Sequence, residues 1–274
     1  MNAQSTVNKK RKPAPADDAP PGLLMADEPQ AVTVEQPEGV SDFVFACDHA
    51  SMLLPRTLGT LGLSQTELAS HIAWDIGAGG VAKALAERLD ATLVTQNYSR
   101  LVIDCNRRQA APDSIPTRGE WVEISGNERL GAAEIETRRA EIFAPYHDAL
   151  STILDQRKAE RRRTLLVAVL SFTPTYLNIS RPWGIGVMYG QDARLAAVLL
   201  KLLRRDERLK VGDNEPYPID EDNDYTLAVH GQSRGLAHVG IEIRQDLIAD
   251  EAGQKSWAGR LASLLKQAAD MLGK

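Results

Sequence analysis

The sequence contains very little cysteine. Its two cysteines, Cys47 and Cys105, each follow an apolar run, and we recognise no secretory signal ahead of them. We therefore expect reduced thiols in a cytoplasmic protein rather than a disulfide. Long hydrophobic stretches are also missing, because the longest apolar run, residues 165–170, is far too short to cross a bilayer. We expect no membrane partner.

The sequence also lacks an excess of positive charge. Its formal net charge is -5 and its pI is about 5.6, which gives no electrostatic case for binding nucleic acid. Residues 1–40 are rich in proline, alanine and acidic residues. Such a segment cannot offset its ordering entropy, so we predict a disordered tail. A basic cluster at residues 9–12 leaves a nucleic-acid or targeting patch as a weaker alternative.

Short catalytic signatures are absent too, since the chain has no H-E-x-x-H, no paired C-x-x-C and no G-x-S-x-G. Apolar runs predict strands at residues 43–46, 91–95, 101–104, 165–170, 185–188 and 239–244. Helical periodicity predicts helices at residues 64–75, 81–89, 134–163, 193–205, 225–230 and 254–272, the first with a capping box from Ser64 to Glu67. This alternation indicates an α/β sandwich with helices on both faces of the sheet, in a single domain over residues 41–274.

Polar residues collect where the predicted strands end. Asp48 and His49, for example, directly follow the first apolar run. The full set comprises Asp48, His49, Asp104, Asn106, Arg107, Ser171, Thr173, Glu242 and Arg244, with His71, Asp75 and His230 from helical segments. Ligands and catalytic groups gather at the carboxyl ends of strands in α/β proteins. The set contains metal-ligand types, a candidate base and several arginines, and it suits metal-assisted hydrolysis of an acidic substrate.

Eight motifs, in this order, resemble the N-formylglutamate amidohydrolase family over about residues 41–250. They are CDHAS, HIAWDIGA, SRLVIDCNR, SFTPTY, RPWGIGVMYG, GDNEPY, YTLAVHG and RGLAHVGIEIRQDLI. The resemblance implies a three-layer α/β sandwich with a mixed, mostly parallel sheet, of the phosphorylase/hydrolase type and related to the zinc carboxypeptidases. It also implies hydrolysis of N-formyl-L-glutamate to formate and glutamate, a reaction of histidine degradation.

The resemblance further implies roles for individual residues. His49 and Asp75 would bind a zinc ion, and Glu242 would act as general base toward a metal-activated water. His230 would polarise the oxyanion or supply a further ligand. The residues expected to bind the acidic small-molecule substrate are Arg100, Asn106, Arg107, Ser171, Arg181 and Arg244.

One position departs from the family pattern. The family has a histidine before S-F-T-P as its second imidazole ligand, and this chain has Leu170 there. Two protein ligands are fewer than the three that a catalytic zinc usually has, unless His230 or Asp48 moves in. Three possibilities follow: an active hydrolase with a rearranged site, a hydrolase of a different acidic amide, or an impaired member that still binds a dicarboxylate.

Structural roles are the alternative for several of these residues. A buried Glu242 needs a partner unless it serves the site, and Arg244, two residues on and on the same face of the strand, is the candidate. We expect His71 and His147, which fall in predicted helices, to be structural histidines.

Overall fold

The computed structural model describes residues 22–217 and 224–273. In chain order its strands are β1 (Val32–Glu35), β2 (Phe43–Cys47), β3 (Thr92–Gln96), β4 (Arg118–Gly119), β5 (Val122–Glu123), β6 (Leu165–Phe172), β7 (Thr175–Tyr176), β8 (Ile179–Ser180), β9 (Ile185–Met188), β10 (Val211–Asp213) and β11 (Ala237–Arg244). Its α-helices are α1 (Gln65–Leu68), α2 (Ala78–Leu89), α3 (Ala132–Arg138), α4 (Ala144–Ala159), α5 (Arg194–Leu203) and α6 (Glu251–Met271). None of the helices in these ranges is both long and apolar enough to cross a membrane.

A mixed sheet of seven strands lies at the centre, in the order β1-β3-β2-β6-β11-β9-β10. The β1/β3 and β11/β9 pairs are antiparallel, and the four other pairs are parallel. Strands β2 and β6 are buried along their whole length, as continuous apolar strands covered on both faces should be. The expected mixed, mostly parallel sheet is confirmed.

Helices cover both faces of this sheet. On one face α2, α5 and α6 pack over an apolar cluster that includes Leu85, Leu199 and Leu265. On the other face α4 and the π-helical turn before it, Arg139–Phe143, pack over a cluster that includes Leu150 and Leu166. The result is the three-layer sandwich expected from the alternation of strands and helices.

The predicted disordered tail is wrong for residues 22–40. Strand β1 pairs antiparallel with β3, with Val32 opposite Gln96, and Leu23 and Ala31 are buried. The composition of the segment gave no sign of this order, because the hydrogen-bond partners of β1 lie some 60 residues further along the chain. Residues 1–21, which include the basic cluster at 9–12, lie outside the described residues.

The strand predicted at residues 101–104 is also wrong. Leu101, Val102 and Ile103 are buried, but they lie in an irregular turn. Side chains satisfy the backbone there: Asn127 Nδ2 donates to the Leu101 carbonyl at 2.8 Å, and Arg138 Nη1 donates to the Val102 carbonyl at 3.0 Å. An apolar run reports burial, and these two distant donors remove the need for a neighbouring strand.

The predicted helices need two corrections. The capping box between Ser64 and Glu67 is confirmed, but the helix it starts, α1, ends at Leu68 rather than continuing to Asp75. The helix predicted over residues 134–163 is α3 and α4 joined by the π-helical turn. Because the chain leaves α1 early, Asp75 lies in a loop, where its side chain reaches the end of the sheet.

Candidate active site

A cleft of about 380 Å³ opens at the carboxyl ends of β2, β6 and β11. These three strands are parallel neighbours, so the residues at their ends meet at one edge of the sheet. The predicted site residues that line this cleft are His49, His71, Asp75, Arg100, Asp104, Asn106, Arg107, Ser171, Thr173 and Glu242. A larger cavity of about 850 Å³ lies among basic residues at the carboxyl ends of α4 and α6, and it contains none of the predicted site residues.

A compact charge cluster forms one wall of the cleft. His49 Nε2 lies 2.7 Å from Asp104 Oδ1. Arg100 Nη1 donates to Asp75 Oδ1 at 3.2 Å, and Arg100 Nε lies 3.4 Å from Asp104 Oδ2. Arg100 Nη2 contacts both ring nitrogens of His49, at 3.0 Å from Nε2. An arginine, a histidine and two carboxylates therefore pack against one another.

Backbone contacts hold this cluster in place. The Asp75 amide donates to the His49 carbonyl at 2.9 Å, and the Ser171 amide donates to Asp75 Oδ2 at 3.1 Å. Asp104 Oδ1 accepts the Asn106 amide at 2.8 Å. Asp75 thus ties the loop after β2 to the end of β6, which brings residues far apart in sequence into one group.

The cluster shifts the pKa values of its members. Burial and Arg100 lower the pKa of His49, but the carboxylates of Asp104 and Asp75 outweigh them and raise it to about 9. Burial raises the pKa of Asp104, yet His49 and Arg100 together hold it well below its usual range. Each charged group is thus stabilised by a partner of opposite charge.

Glu242 lies on β11 at the back of the cleft. Burial, reinforced by the nearby Asp75 carboxylate, raises its pKa to about 8, and its Oε2 has no hydrogen-bond partner among the described residues. The expected partner is wrong: Arg244, at the end of β11, turns toward Asp246, with Nε 2.7 Å from Oδ1, and does not line the cleft. Glu242 is therefore a buried carboxyl group that faces the cleft, and within residues 22–217 and 224–273 no cation is bound to it.

The other two arginines expected to bind substrate lie in different settings. Arg107 lines the cleft, with Nε 3.0 Å from Asp113 Oδ2. Arg181 is buried between two aromatic rings, 4.7 Å from the Tyr176 centroid and 4.6 Å from that of Tyr217. Both tyrosines line the cleft. Arg181 Nη1 has no hydrogen-bond partner within the described part of the chain.

Asn106 and Ser171 line the cleft, but their side chains also connect loops. Asn106 Oδ1 accepts the Thr226 amide at 2.9 Å. Ser171 Oγ donates to the Ile76 carbonyl at 2.9 Å. These two predicted substrate-binding residues therefore also fix the shape of the cleft.

His230 and Asp48 do not line the cleft. His230 Nε2 lies 2.9 Å from His147 Nδ1, and His147 Nε2 lies 2.9 Å from the Cys105 carbonyl. Asp48 Oδ1 accepts a hydrogen bond from Thr226 Oγ1 at 2.5 Å. Neither of the residues that could have replaced the missing metal ligand therefore lines the cleft, and His147, paired with His230, is structural as expected.

Sequence reasoning missed one residue of the cleft and misjudged another. Asp224 lines it, and burial raises the pKa of this carboxyl to about 7. His71, a member of the candidate set for which we expected a structural role, also lines the cleft, with its Nε2 3.3 Å from Glu120 Oε2. Asp224 directly precedes the YTLAVHG motif, which was the available signal. His71 and Glu120 are far apart in sequence, so only the fold brings them together.

The side chains around His49 do not fit a zinc ion with its usual three protein ligands. The position expected to hold the further histidine is Leu170, which lines the cleft and has no donor atom. Both ring nitrogens of His49 already contact Arg100. Within residues 22–217 and 224–273, no group of three or more His, Cys, Asp and Glu side chains is placed to hold a metal.

Comparison with known proteins agrees with the family that the sequence motifs resemble. A model of the N-formylglutamate amidohydrolase family matches residues 41–249. The crystal structure of gene product Atu2144 from Agrobacterium tumefaciens is 40% identical, covering 92% of this chain and 100% of its own, with a TM-score of 0.89. The structure of N-formylglutamate amidohydrolase from Ralstonia eutropha JMP134 is 20% identical, covering 88% and 98%, with a TM-score of 0.67, a likeness in fold. No curated protein matches the chain.

Proposed function

The chain belongs to the N-formylglutamate amidohydrolase family of hydrolases that act on an amide, and we propose that it cleaves N-formyl-L-glutamate or a closely related N-acyl acidic amino acid. The products with N-formylglutamate are formate and glutamate. We also propose the cytoplasm and histidine degradation as its setting.

The observation that carries this proposal is the state of Glu242. Its carboxyl group is buried at the cleft, has an oxygen without a hydrogen-bond partner, and has a pKa raised to about 8 by burial and by Asp75. A general base works best when its pKa lies near the operating pH. A structural carboxyl group at this depth would be expected to have a partner.

Glu242 then takes a proton from a water molecule that attacks the acyl carbon. The water oxygen forms a bond to that carbon, the carbon–nitrogen bond breaks, and Glu242 returns the proton to the leaving amine. Atoms and charges balance without a further reactant. This use of one carboxyl group as base and then acid is ordinary general acid–base catalysis.

Arginines supply the contacts for an acidic substrate. Arg107 lines the cleft, and Arg181 lies behind the two cleft tyrosines, so the cleft is bordered by groups suited to carboxylates. We propose that Arg181, whose Nη1 lacks a hydrogen-bond partner within the described residues, binds one substrate carboxylate when the tyrosine side chains move. N-formyl-L-glutamine, which lacks the second charge, should therefore be a poorer substrate.

The test is formate release by the Glu242→Gln variant. Glutamine keeps the shape and removes the base, so kcat should fall by about 100-fold or more. The matched control is Glu251→Gln on the exposed start of α6, which should retain full activity. Wild-type kcat/KM, which reports the substrate-free enzyme, should rise with pH through about 8 because the ionised carboxylate is the working form. Equal activity of Glu242→Gln and wild type would remove Glu242 from the mechanism.

Leu170 favours a second candidate, an impaired family member that binds a dicarboxylate without cleaving it. In that case isothermal titration would detect binding of N-formylglutamate, with no formate released at any pH, and Glu242→Gln would bind as tightly as wild type. Release of formate by wild type, abolished in Glu242→Gln, would reject this candidate.

A further inference from the structure

We propose that the guanidinium of Arg100 is the resident cation of this cleft and that the site operates without a metal ion. The inference concerns the same cleft as the proposed function and rests on it for the substrate. The juxtaposition that carries it is Arg100 packed among His49, Asp75 and Asp104, in a cleft that is also lined by a leucine at the position expected to hold a histidine.

Arg100 occupies the atoms that a metal would need. Its Nη1 contacts Asp75 Oδ1 at 3.2 Å, its Nη2 contacts both ring nitrogens of His49, and its Nε lies 3.4 Å from Asp104 Oδ2. One guanidinium therefore meets both expected metal ligands and a second carboxylate. A metal ion could bind His49 and Asp75 only after Arg100 had withdrawn.

The charges in the cluster also disfavour replacing Arg100 with a metal ion. Asp75 and Asp104 are buried carboxylates, and Arg100 lies between them. Arginine keeps its charge at any physiological pH. Adding a divalent ion would leave the displaced guanidinium without its partners beside a second cation, and removing one partner from a buried ion pair is costly.

The pairing of β6 with β11 explains why position 170 matters. Leu170 lies directly opposite Glu242 on the neighbouring strand, and both line the cleft. A histidine here would present its imidazole beside the base, within the same cavity. Leucine instead offers carbon atoms alone, so this position supplies no donor atom to the cleft, which Arg100 also lines.

Arg100 is also placed to act on substrate. Its side chain is 23% exposed and lines the cleft, whereas the side chains of Asp75 and Asp104 are almost fully buried. Its exposed edge can donate to the oxygen of the acyl group as negative charge develops there. Fixed donors of this kind replace the electrostatic role of a metal without requiring one.

The test measures bound zinc in the full-length protein after incubation with excess zinc and desalting. We expect wild type to retain almost none. Arg100→Met with Leu170→His should retain about one zinc per chain, because the cation is gone and the third ligand is restored. Leu170→His alone should retain much less than this double variant. Arg100→Met with Leu170→Met is the matched control without the new imidazole and should stay near the wild-type level.

Two outcomes would overturn the inference. One is about one zinc per wild-type chain that is lost in His49→Ala, because three-ligand zinc sites depend on every ligand. The other is equal zinc retention by Leu170→His with and without Arg100. Circular dichroism should establish that each variant is folded before its zinc content is compared.

A second readout separates this inference from the proposed function. Formate release by wild type should be unchanged by a chelator and by added zinc. If neither wild type nor any variant releases formate under any condition, the proposed function fails. The zinc contents still decide whether Arg100 or a metal is the cation of the cleft.

Discussion

Two histidines, His49 and His230, are buried to the same extent but lie in opposite electrostatic settings. Each is 1% exposed. The pKa of His49 is raised to about 9, since two carboxylates outweigh burial, and that of His230 is lowered to about 4 by burial and by Arg234. The partners differ: a carboxylate 2.7 Å from His49, and a second histidine 2.9 Å from His230. The charge of the neighbours, and not depth, decides which histidine is ionised.

His147 and His230 form a hydrogen-bonded pair behind the cleft, the back pair. The direction of each hydrogen bond in this pair is defined. His147 Nε2 donates to the Cys105 carbonyl, so in the neutral ring Nδ1 accepts from His230 Nε2. His230 Nδ1 is then an unprotonated atom without a partner among the described residues. This pair is neutral and structural. The cleft cluster, formed by His49, Asp75, Arg100 and Asp104, is charged and lines the cleft.

Breaking the cleft cluster should have the largest effect on stability. Asp104→Ala removes the carboxylate from His49 and Arg100, so the free energy of unfolding should fall by about 3 kcal/mol. The measurement is urea unfolding near neutral pH. The matched control is Asp113→Ala, whose exposed carboxylate pairs with Arg107 and should cost less than about 1 kcal/mol. Similar costs for the two variants would mean that the cleft cluster contributes no more than a surface pair.

The contribution of the back pair to the free energy of unfolding should depend on pH. Because the folded pKa of His230 lies below its ordinary value of 6.5, its contribution to stability is present above 6.5 and is lost as pH falls toward about 4. Asp224 and Glu242 have raised pKa values and give the opposite slope, so variants must be compared at each pH. The destabilisation caused by His230→Gln should shrink by roughly 2 kcal/mol between about pH 7.5 and about pH 5. A cost independent of pH would mean that His230 is not held neutral.

Replacing Arg234 should have the smallest effect of these changes, a small shift in the pKa of His230. After burial, its charge is the next cause that lowers the pKa of His230, and its own partner is Asp155. In Arg234→Gln the pKa of His230 should rise slightly, since Asp155 remains. Histidine titration by NMR measures this shift, with Arg208→Gln, a fully exposed arginine, as the control. A downward shift would contradict the assigned role of Arg234.

Much of the fold was predictable from the sequence. The strands at residues 43–46 and 165–170, the capping box at Ser64 and the overall α/β architecture follow from local pattern. Strand β1 and the irregular turn at 101–103 were not predictable. Both depend on partners supplied by distant segments: β3 for the first, and the side chains of Asn127 and Arg138 for the second.

The sequence predicted which residues line the site better than it predicted which of them contact one another. His49, Asp75 and Glu242 do meet at one cleft. The predicted pairing of Arg244 with Glu242 is wrong, and His230 lies behind the cleft. Spacing along a strand gives the face of a side chain but not the direction that a long, flexible arginine takes at the strand's end.

The sequence by itself determined the kinds of chemical groups present and the strand ends that carry them, because alternation and apolar runs are local properties of the chain. The tertiary structure alone decided which of those groups contact one another. Asp75 links the loop after β2 to β6, Leu170 lies opposite Glu242, and Arg100 fills the space among the carboxylates. These contacts join segments far apart in sequence, and packing and charge in the folded chain select them.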